Sequence, residues 1–500
     1  MMQMIMGHKL LGLFFLWGIL SGIFVAGLEA DSFIYIRWLV LALFYWGARL
    51  SANRFPILAV IVLVGVVQAA VAIGQQVGWM ESNHPMFPVT GLLGNPGQLG
   101  GFQAVALVVA VALFMERTDR YVRLLLLFSS FVLAYTVALA DSRAAWIASL
   151  LGMAALFHAQ VMRIVKHCKR WAVPLVATAV VVLSVITFNY RSESAKGRML
   201  IWRVCADMIC DKSLVGHGLS SFNKHYMHYQ AAYFERHPHS EFAKVADNAA
   251  YPYNEFLHCW IERGALGLLF FVVALVLTMY AAERKIRAPL VALLAFSMFS
   301  YPVFVNALLV LFPVLLGLSA PRRTRRWGNV VAAGMLAVAL LLGYLEYNFI
   351  KEAGKILQKE IVAADDRTEQ YVGRNFHRIA EYPRLNMLYA QVLVNRPELA
   401  SSEKIGLVLP TCENWCDIGE LYLNRDSLNA AERYYVEASY MVPTRMRPKY
   451  LLFKLYCRTG RMRNAAETAR EILEMSLKME NSYTLKRKVE VREFLKTYKP

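Results

Sequence analysis

Charge is what this chain has least of. Only 18% of its 500 residues are charged, against 57% hydrophobic, and the mean hydropathy is +0.39. A soluble domain of ordinary composition carries about 25% charged residues, so that class is excluded. A disulfide framework is also missing. The seven cysteines are scattered, several of them in apolar segments, and none stands at a metal-ligand spacing. Cys412 and Cys416 are the one near pair; they are open to bridging if that region is extracytoplasmic and are otherwise two buried thiols. No HExxH or similar histidine spacing occurs, so neither a metal nor another cofactor is expected. The first apolar run, about Leu10 to Leu28, is longer than a signal-peptide core and lacks a small-residue cleavage site, which makes it a retained helix. The interrupted helix pairs and repeated halves of many transporters are absent as well.

Long apolar runs are what the chain has instead. Several exceed the roughly 18 residues needed to cross a bilayer. The fold class expected is all-α: a polytopic helical membrane protein with about 11 spans, near 9–28, 32–49, 56–78, 99–115, 121–140, 143–162, 171–188, 256–281, 287–303, 305–319 and 327–345. The net charge of +18 would suit nucleic acid, but the basic residues sit in short loops between apolar runs. They recur in alternate loops: Arg49 and Arg54; Arg117, Arg120 and Arg123; Arg163, Lys166, Lys169 and Arg170; Arg284, Lys285 and Arg287; and "RRTRR" at 322–326. Such loops are cytoplasmic. The intervening loops, the long segment 189–254 and everything after 346 then face outward, with the N-terminus inside. If 287–319 were one helix rather than two, split at "YPVFVN", the tail would be cytoplasmic and this charge rule would break.

The composition turns polar after residue 345, which divides the chain into a membrane domain, 1–345, and a C-terminal domain, 346–500. In the latter Trp415, Ile418, Gly419, Tyr422, Ala431, Tyr435, Ala438 and Pro443 fall at the offsets of a tetratricopeptide repeat. Leu452, Tyr456, Gly460 and Ala465 echo it, and Leu385 and Tyr389 hint at an earlier unit. Small residues let two helices approach, aromatics fill the groove, and a proline ends the second helix. Such repeats present binding surfaces, so a protein partner is expected there.

Four outward segments can carry chemistry. "GLLGNPGQLGGF", 91–102, is a tight turn entering a helix. "ADSRAAW", 140–146, puts Arg143 at the outer end of a helix, either snorkelling to the interface or aimed at an anionic headgroup or phosphate. In "GRMLIWRVCADMICDKSLVGHGLSSF", 197–222, a helical stripe of Arg198, Trp202, Cys205 and Ile209, widened by Met199 and Ala206, suggests a helix along the membrane surface. Arg203 and Asp207 are spaced to pair, whereas Arg198 has no acid at that spacing and is the better phosphate ligand. Finally "YPYNEFLHCWIERGALGLL" opens a membrane helix with a polar cluster. There Asn254, His258 and Glu262 fall at i, i+4 and i+8, and polar groups at membrane depth are costly and tend to be functional.

In order, "GNPGQLGGF", "DSRAAW", the Arg198–Phe222 segment with its aromatic sequel, and "NEFLHCWIERGALGLL" resemble the O-antigen ligase family, which includes protein O-oligosaccharyltransferases and polysaccharide polymerases. The resemblance covers most of residues 90–280. It implies a metal-independent transfer of a glycan from an undecaprenyl-diphosphate carrier to an acceptor hydroxyl at the periplasmic face of a bacterial inner membrane, the acceptor being a lipid, a protein or a growing chain. Matched by motif, Arg143 and Arg198 hold the diphosphate, with Arg203 in reserve. Fixed guanidinium groups suit a leaving group that develops negative charge. The family commonly has His-Asn before the apolar helix; here Tyr253-Asn254 stands in that place. Asn254 is carried over; His258, His217 or a histidine of the long loop are the alternatives for the missing histidine, and Tyr253 is a group that could orient an acceptor without acting as a base. Outside this class, a non-catalytic scaffold that recruits envelope proteins through its repeats fits the same composition.

Overall fold

The computed structural model describes residues 2–26, 32–167, 192–320, 328–362, 366–380, 382–478 and 480–498. The expected span 171–188, the "RRTRR" loop and the 29–31 loop lie outside them. The described residues are helical and contain no strand. They form two compact units: residues 1–191, 214–218 and 252–344, and residues 192–213, 219–251 and 345–500.

The helices of the first unit are α1 (Met2–Ala26), α2 (Ser32–Leu50), α3 (Arg54–Gln76), α4 (Pro96–Glu116), α5 (Arg120–Leu139), α6 (Arg143–Leu156) and α7 (His158–His167). After the segment that includes α8 (Ser192–Asp211) and α9 (Ser221–Arg236), both of the second unit, come α10 (Glu255–Ala281), α11 (Arg284–Ser297), α12 (Asn306–Leu309), α13 (Leu311–Ser319) and the start of α14 (Gly328–Val362). Among the described residues, five helices are long and apolar enough to cross a bilayer: α3, α4, α5, α10 and Gly328–Lys359 of α14. Met6–Ser21, Arg143–Leu156 and Asn306–Ser319 are shorter apolar helices. The chain is an all-α, multi-pass membrane protein.

Helix positions follow the apolar runs, but three C-terminal ends differ from expectation. The span expected over 143–162 stops at Leu156, and α7 follows as a separate helix. The one expected over 287–303 stops at Ser297, because Pro302 lacks an N–H and disfavours helix at Tyr301; a 3-10 turn, Pro302–Phe304, takes over. The fourteen residues of α11 reach about 21 Å, well short of the roughly 30 Å hydrocarbon core. The last span expected, 327–345, runs on as helix to Val362.

Alternation of the loops is visible in the contacts. At one end of the unit Arg54 meets Glu283 at 2.7 Å and donates to the Ala320 carbonyl at 2.8 Å. Nearby Lys285 meets Glu116 at 2.6 Å. The basic loops after α2, α4 and α10 therefore meet there.

The second unit contains α8, α9, a 3-10 turn at Glu241–Val245, and the continuation of α14 followed by α15 (Asp366–Ala380), α16 (Pro383–Asn395), α17 (Ser402–Gly406), α18 (Cys412–Asn424), α19 (Leu428–Met441), α20 (Met446–Arg458), α21 (Met462–Glu474) and α22 (Ser482–Thr497). Short turns pair α18 with α19 and α20 with α21. Gly419 allows the first pair its approach, since a Cβ there would lie 2.3 Å from the Tyr435 ring. Tyr435, Tyr450, Phe453, Tyr456, Ile472 and Val491 share one core. The buried face of α8 is Leu200, Val204, Cys205, Met208 and Ile209, whereas Met199 and Ala206 are exposed. The apolar side is thus rotated from the stripe read in the sequence.

Candidate functional site

The site in the first unit is built from the "GLLGNPGQLGG" turn upward. Two glutamines of α3 fold this turn. Gln75 Oε1 accepts from the Thr90 and Gly91 N–H groups at 2.9 and 2.8 Å, and Gln75 Nε2 donates to the Gly91 carbonyl at 3.0 Å. Gln68 Oε1 accepts from the Leu92 N–H at 2.8 Å. Asn95 then caps α4 by accepting from the Gly97 N–H at 2.8 Å. Once α4 starts, its glycines set the spacing. A Cβ on Gly100 would meet Ala145 and Ser142 side chains at 2.9 and 3.1 Å, and one on Gly101 would overlap the Phe296 ring.

Gly100 therefore receives the turn that carries Arg143. Ser142 is the N-cap of α6 and Arg143 its first residue. Asp141, just before them, has φ of +44°. A left-handed non-glycine costs of order 1 kcal/mol or more and persists where the surroundings over-determine it. Arg143 itself is half-buried.

The start of α10 holds the second group. Tyr253 is again left-handed, with φ of +52°, and its ring meets Tyr301 edge-on at 5.1 Å. Asn254 does not share a helical face with His258. It is the N-cap, and its Oδ1 accepts from the Phe256 and Leu257 N–H groups at 2.9 and 3.1 Å. Glu255 accepts from the Val303 N–H at 2.9 Å, and its other oxygen lies 3.0 Å from His258 Nδ1. His258 Nε2 lies 3.1 Å from Glu262, and Glu262 lies 3.5 Å from the Arg263 guanidinium. Arg263 also rests near the Phe14 and Trp38 rings, while its carbonyl accepts from the Trp17 indole N–H at 2.8 Å. All four ionisable groups are buried. In sequence two carboxylates, an imidazole and a guanidinium match charge for charge, which is how such groups are tolerated in a membrane helix.

A break in α10 follows at once. Gly264 has φ of 67° and ψ of −176°, so the carbonyls one turn earlier lose their helical partners. Residues 214–218 supply substitutes: the His217 N–H donates to the Ile261 carbonyl at 2.7 Å and the Gly218 N–H to the Glu262 carbonyl at 3.0 Å. Neither side of this contact accepts a side chain. A Cβ on Gly264 would lie 2.0 Å from the Leu214 oxygen, and one on Gly216 2.6 Å from the Glu262 carbonyl carbon. "VGHG", read in the sequence as the end of a helix, is a backbone splint on α10 that buries His217 there.

These contacts put the N-termini of α4, α6 and α10 at one end of the unit. Gly100 touches the Arg143 turn, Gly101 touches Phe296 at the end of α11, and the 3-10 turn beyond it touches Glu255. Arg37 of α2, which the sequence reading overlooked, joins them by donating to the Val303 carbonyl at 2.8 Å. Helix N-termini carry partial positive charge and favour anions, and Arg143 and Arg37 add full charges of the same sign. Tyr253, Asn254, His258, His217 and Arg143 all belong to this unit. Glu255, Glu262 and Arg263 complete it; their signal was the cost of charges inside an apolar helix.

Arg198 and Arg203 belong to the second unit, on α8. Arg198 is half-buried and Arg203 exposed. Asp207 does not take Arg203 as their i, i+4 spacing suggests; Arg236 of α9 reaches it at 3.0 Å. Among the described residues, no group of three or more His, Cys, Asp or Glu side chains is arranged to hold a metal ion.

A comparison with curated proteins finds no match. Residues 128–272, which run from α5 through the Arg143 turn, α8, α9 and the splint to the broken helix α10, match the family model described as O-antigen ligase.

Proposed function

We propose that this chain transfers a glycan from an undecaprenyl-diphosphate carrier to an acceptor hydroxyl at the periplasmic face of a bacterial inner membrane. The match of residues 128–272 to the O-antigen ligase model supports an enzyme that works on glycans in the membrane. The observation that carries the finer reading is the pair of strained turns, Asp141–Arg143 and Tyr253–Asn254, at one end of the first unit beside Arg37 and three helix N-termini. Strain of this kind concentrates at functional sites, and the charge there suits a leaving diphosphate. Arg143 and Arg198 are the cations assigned to that diphosphate, with Arg203 in reserve. Because both ring nitrogens of His258 face carboxylates, its role is to hold the start of α10 in charge balance. Tyr253 and His217 are the groups proposed to orient the acceptor hydroxyl. The helices after residue 345, read as tetratricopeptide-like, face the same compartment.

The test is transfer by the purified full chain in proteoliposomes, given lipid-linked glycan, candidate lipid and protein acceptors, and no added metal. Glycan moved to a lipid or protein in one step supports ligase chemistry. Lengthening of the carrier-linked glycan instead marks a polymerase, which the same family includes. A chain that moves no glycan, and whose Arg143→Ala and Arg198→Ala variants retain envelope function in cells, is a scaffold.

A further inference from the structure

Helix α9 is held on a face formed by the C-terminal helices, and the contacts are those of a fitted joint. Gln230, 1% exposed, donates to the Met441 carbonyl at 2.6 Å and to the Asp247 carbonyl at 3.1 Å, while accepting from the Tyr226 hydroxyl at 2.8 Å. Met441 is the last residue of α19, so its carbonyl has no partner within the helix. His228 Nδ1 lies 2.5 Å from Glu437, whose other oxygen accepts from the Trp415 indole at 2.8 Å. The His228 ring stands edge-on to Trp415 at 5.4 Å. Beyond α9, Asn248 accepts from the N–H of Cys412, the first residue of α18, at 3.0 Å, and also donates to Glu413. Asp247 takes Arg445 at 2.6 Å and Lys478 at 3.0 Å. Segment 219–251 thus satisfies unpaired backbone groups at the start of α18 and the end of α19.

We propose that the face made by Trp415, Glu437 and Met441 has the chain's own α9 as its occupant, and that the C-terminal helices are a positioning domain for the transfer reaction. The same unit contains α8, which packs on α9 and carries Arg198. Clamping α9 therefore sets where α8 stands. The sequence suggested an open surface awaiting another protein; instead its central tryptophan and glutamate are engaged in cis. The purpose given to the clamp rests on the transferase reading above, but its existence does not.

The experiment uses the full chain in nanodiscs and compares wild type with His228→Ala, Glu437→Gln and the double variant. Glu437→Gln preserves an acceptor for the Trp415 indole and takes only the carboxylate charge from the His228 contact, which separates weakening of that contact from loss of the fold. Hydrogen exchange over residues 221–236 is expected to quicken about tenfold in His228→Ala, by less in Glu437→Gln, and no further in the double variant than in His228→Ala, because both changes act on one interaction. In transfer assays KM for the lipid-linked donor is expected to rise about tenfold with kcat retained, as for a group that holds a binding residue without touching the reacting atoms. Unchanged exchange overturns the clamp. Faster exchange with unchanged KM overturns the positioning role and leaves a structural contact. If wild type neither binds nor transfers the lipid-linked glycan, the transferase reading fails and the purpose of the clamp with it, while the exchange data still decide whether α9 is clamped.

Discussion

The imidazole of His258 lies 3.1 Å from the Glu262 carboxylate, one helical turn further along α10 and equally buried. With Glu255 on the other ring nitrogen at 3.0 Å, removing the imidazole takes a shared partner from two buried carboxylates. His258→Ala is expected to cost about 3–5 kcal/mol, the range for breaking a buried pair. Thermal unfolding of the purified chain should show it, and Glu262→Gln in the His258→Ala background should recover part of the loss. A His258→Ala chain of full stability would mean that the row is not an ion-paired unit.

Gly264 and Gly216 are predicted to tolerate no side chain. Gly264→Ala combines a left-handed φ with overlap on the Leu214 carbonyl. It should release residues 214–218 and expose the Ile261 and Glu262 carbonyls. Limited proteolysis near residue 216 is the readout; cleavage no faster than in wild type would contradict the splint.

Arg143→Ala is expected to lower kcat for glycan transfer by about 100-fold or more with protein level unchanged, the usual effect of deleting a donor aimed at developing charge. Arg143→Lys should restore only part, since lysine lacks the planar fork. Equal activity in all three would assign Arg143 to membrane anchoring.

Acid should loosen the second unit. Burial alone would raise the Asp247 carboxyl, but Arg445, Lys478 and the Asn248 N–H outweigh it and hold the group below its ordinary value of 3.8. Glu437 shifts the same way: burial opposes, and the His228 and Trp415 hydrogen bonds prevail. Groups depressed in the fold contribute stability above their unfolded pKa and lose it as pH falls through the folded one. Unfolding temperatures should therefore hold from neutral pH down to the ordinary carboxylate range and fall below it. Asp247→Asn should flatten that acid limb; an unaltered limb would remove Asp247 from the account.

Cys210 is an exposed thiol on α8, and it tests orientation directly. A membrane-impermeant maleimide should label it in spheroplasts without detergent, and Cys210→Ser should remove that signal. Labelling only after lysis would invert the proposed topology.

Apolar run length located the helices well, because hydropathy reports where a chain can face lipid. It says little about where a short helix stops inside a bundle, and α11 ends at Ser297 for a proline five residues later. Spacing rules saw Arg203 and Asp207 as neighbours on one helix and missed Arg236, which arrives from another. Asn254 was placed on a helical face although an asparagine before a first turn is more at home as a cap. Within α10 the charges pair at local spacing, His258 with Glu255 and Glu262, but the Val303 N–H, the Phe14 and Trp38 rings and the 214–218 backbone that complete the surroundings come from distant positions. "DSRAAW" and "NEFLHCWIERG", two of the stretches that carry the family resemblance, both lie within residues 128–272, which match the family model and contain both strained turns.

The splint at Gly264 has a consequence for how this chain can change over time. Gly218 is pinned to the Glu262 carbonyl, and the chain returns at residue 252 only a few residues before that same helix begins. Exit and re-entry are thus fixed on one rod about 12 Å apart, the rise of eight helical residues. Residues 219–251 form a cassette between two anchored ends. A cassette of another length has to close that gap, at an entropic cost that grows slowly with length, and to keep its joint with the C-terminal helices, but no membrane helix has to be reset.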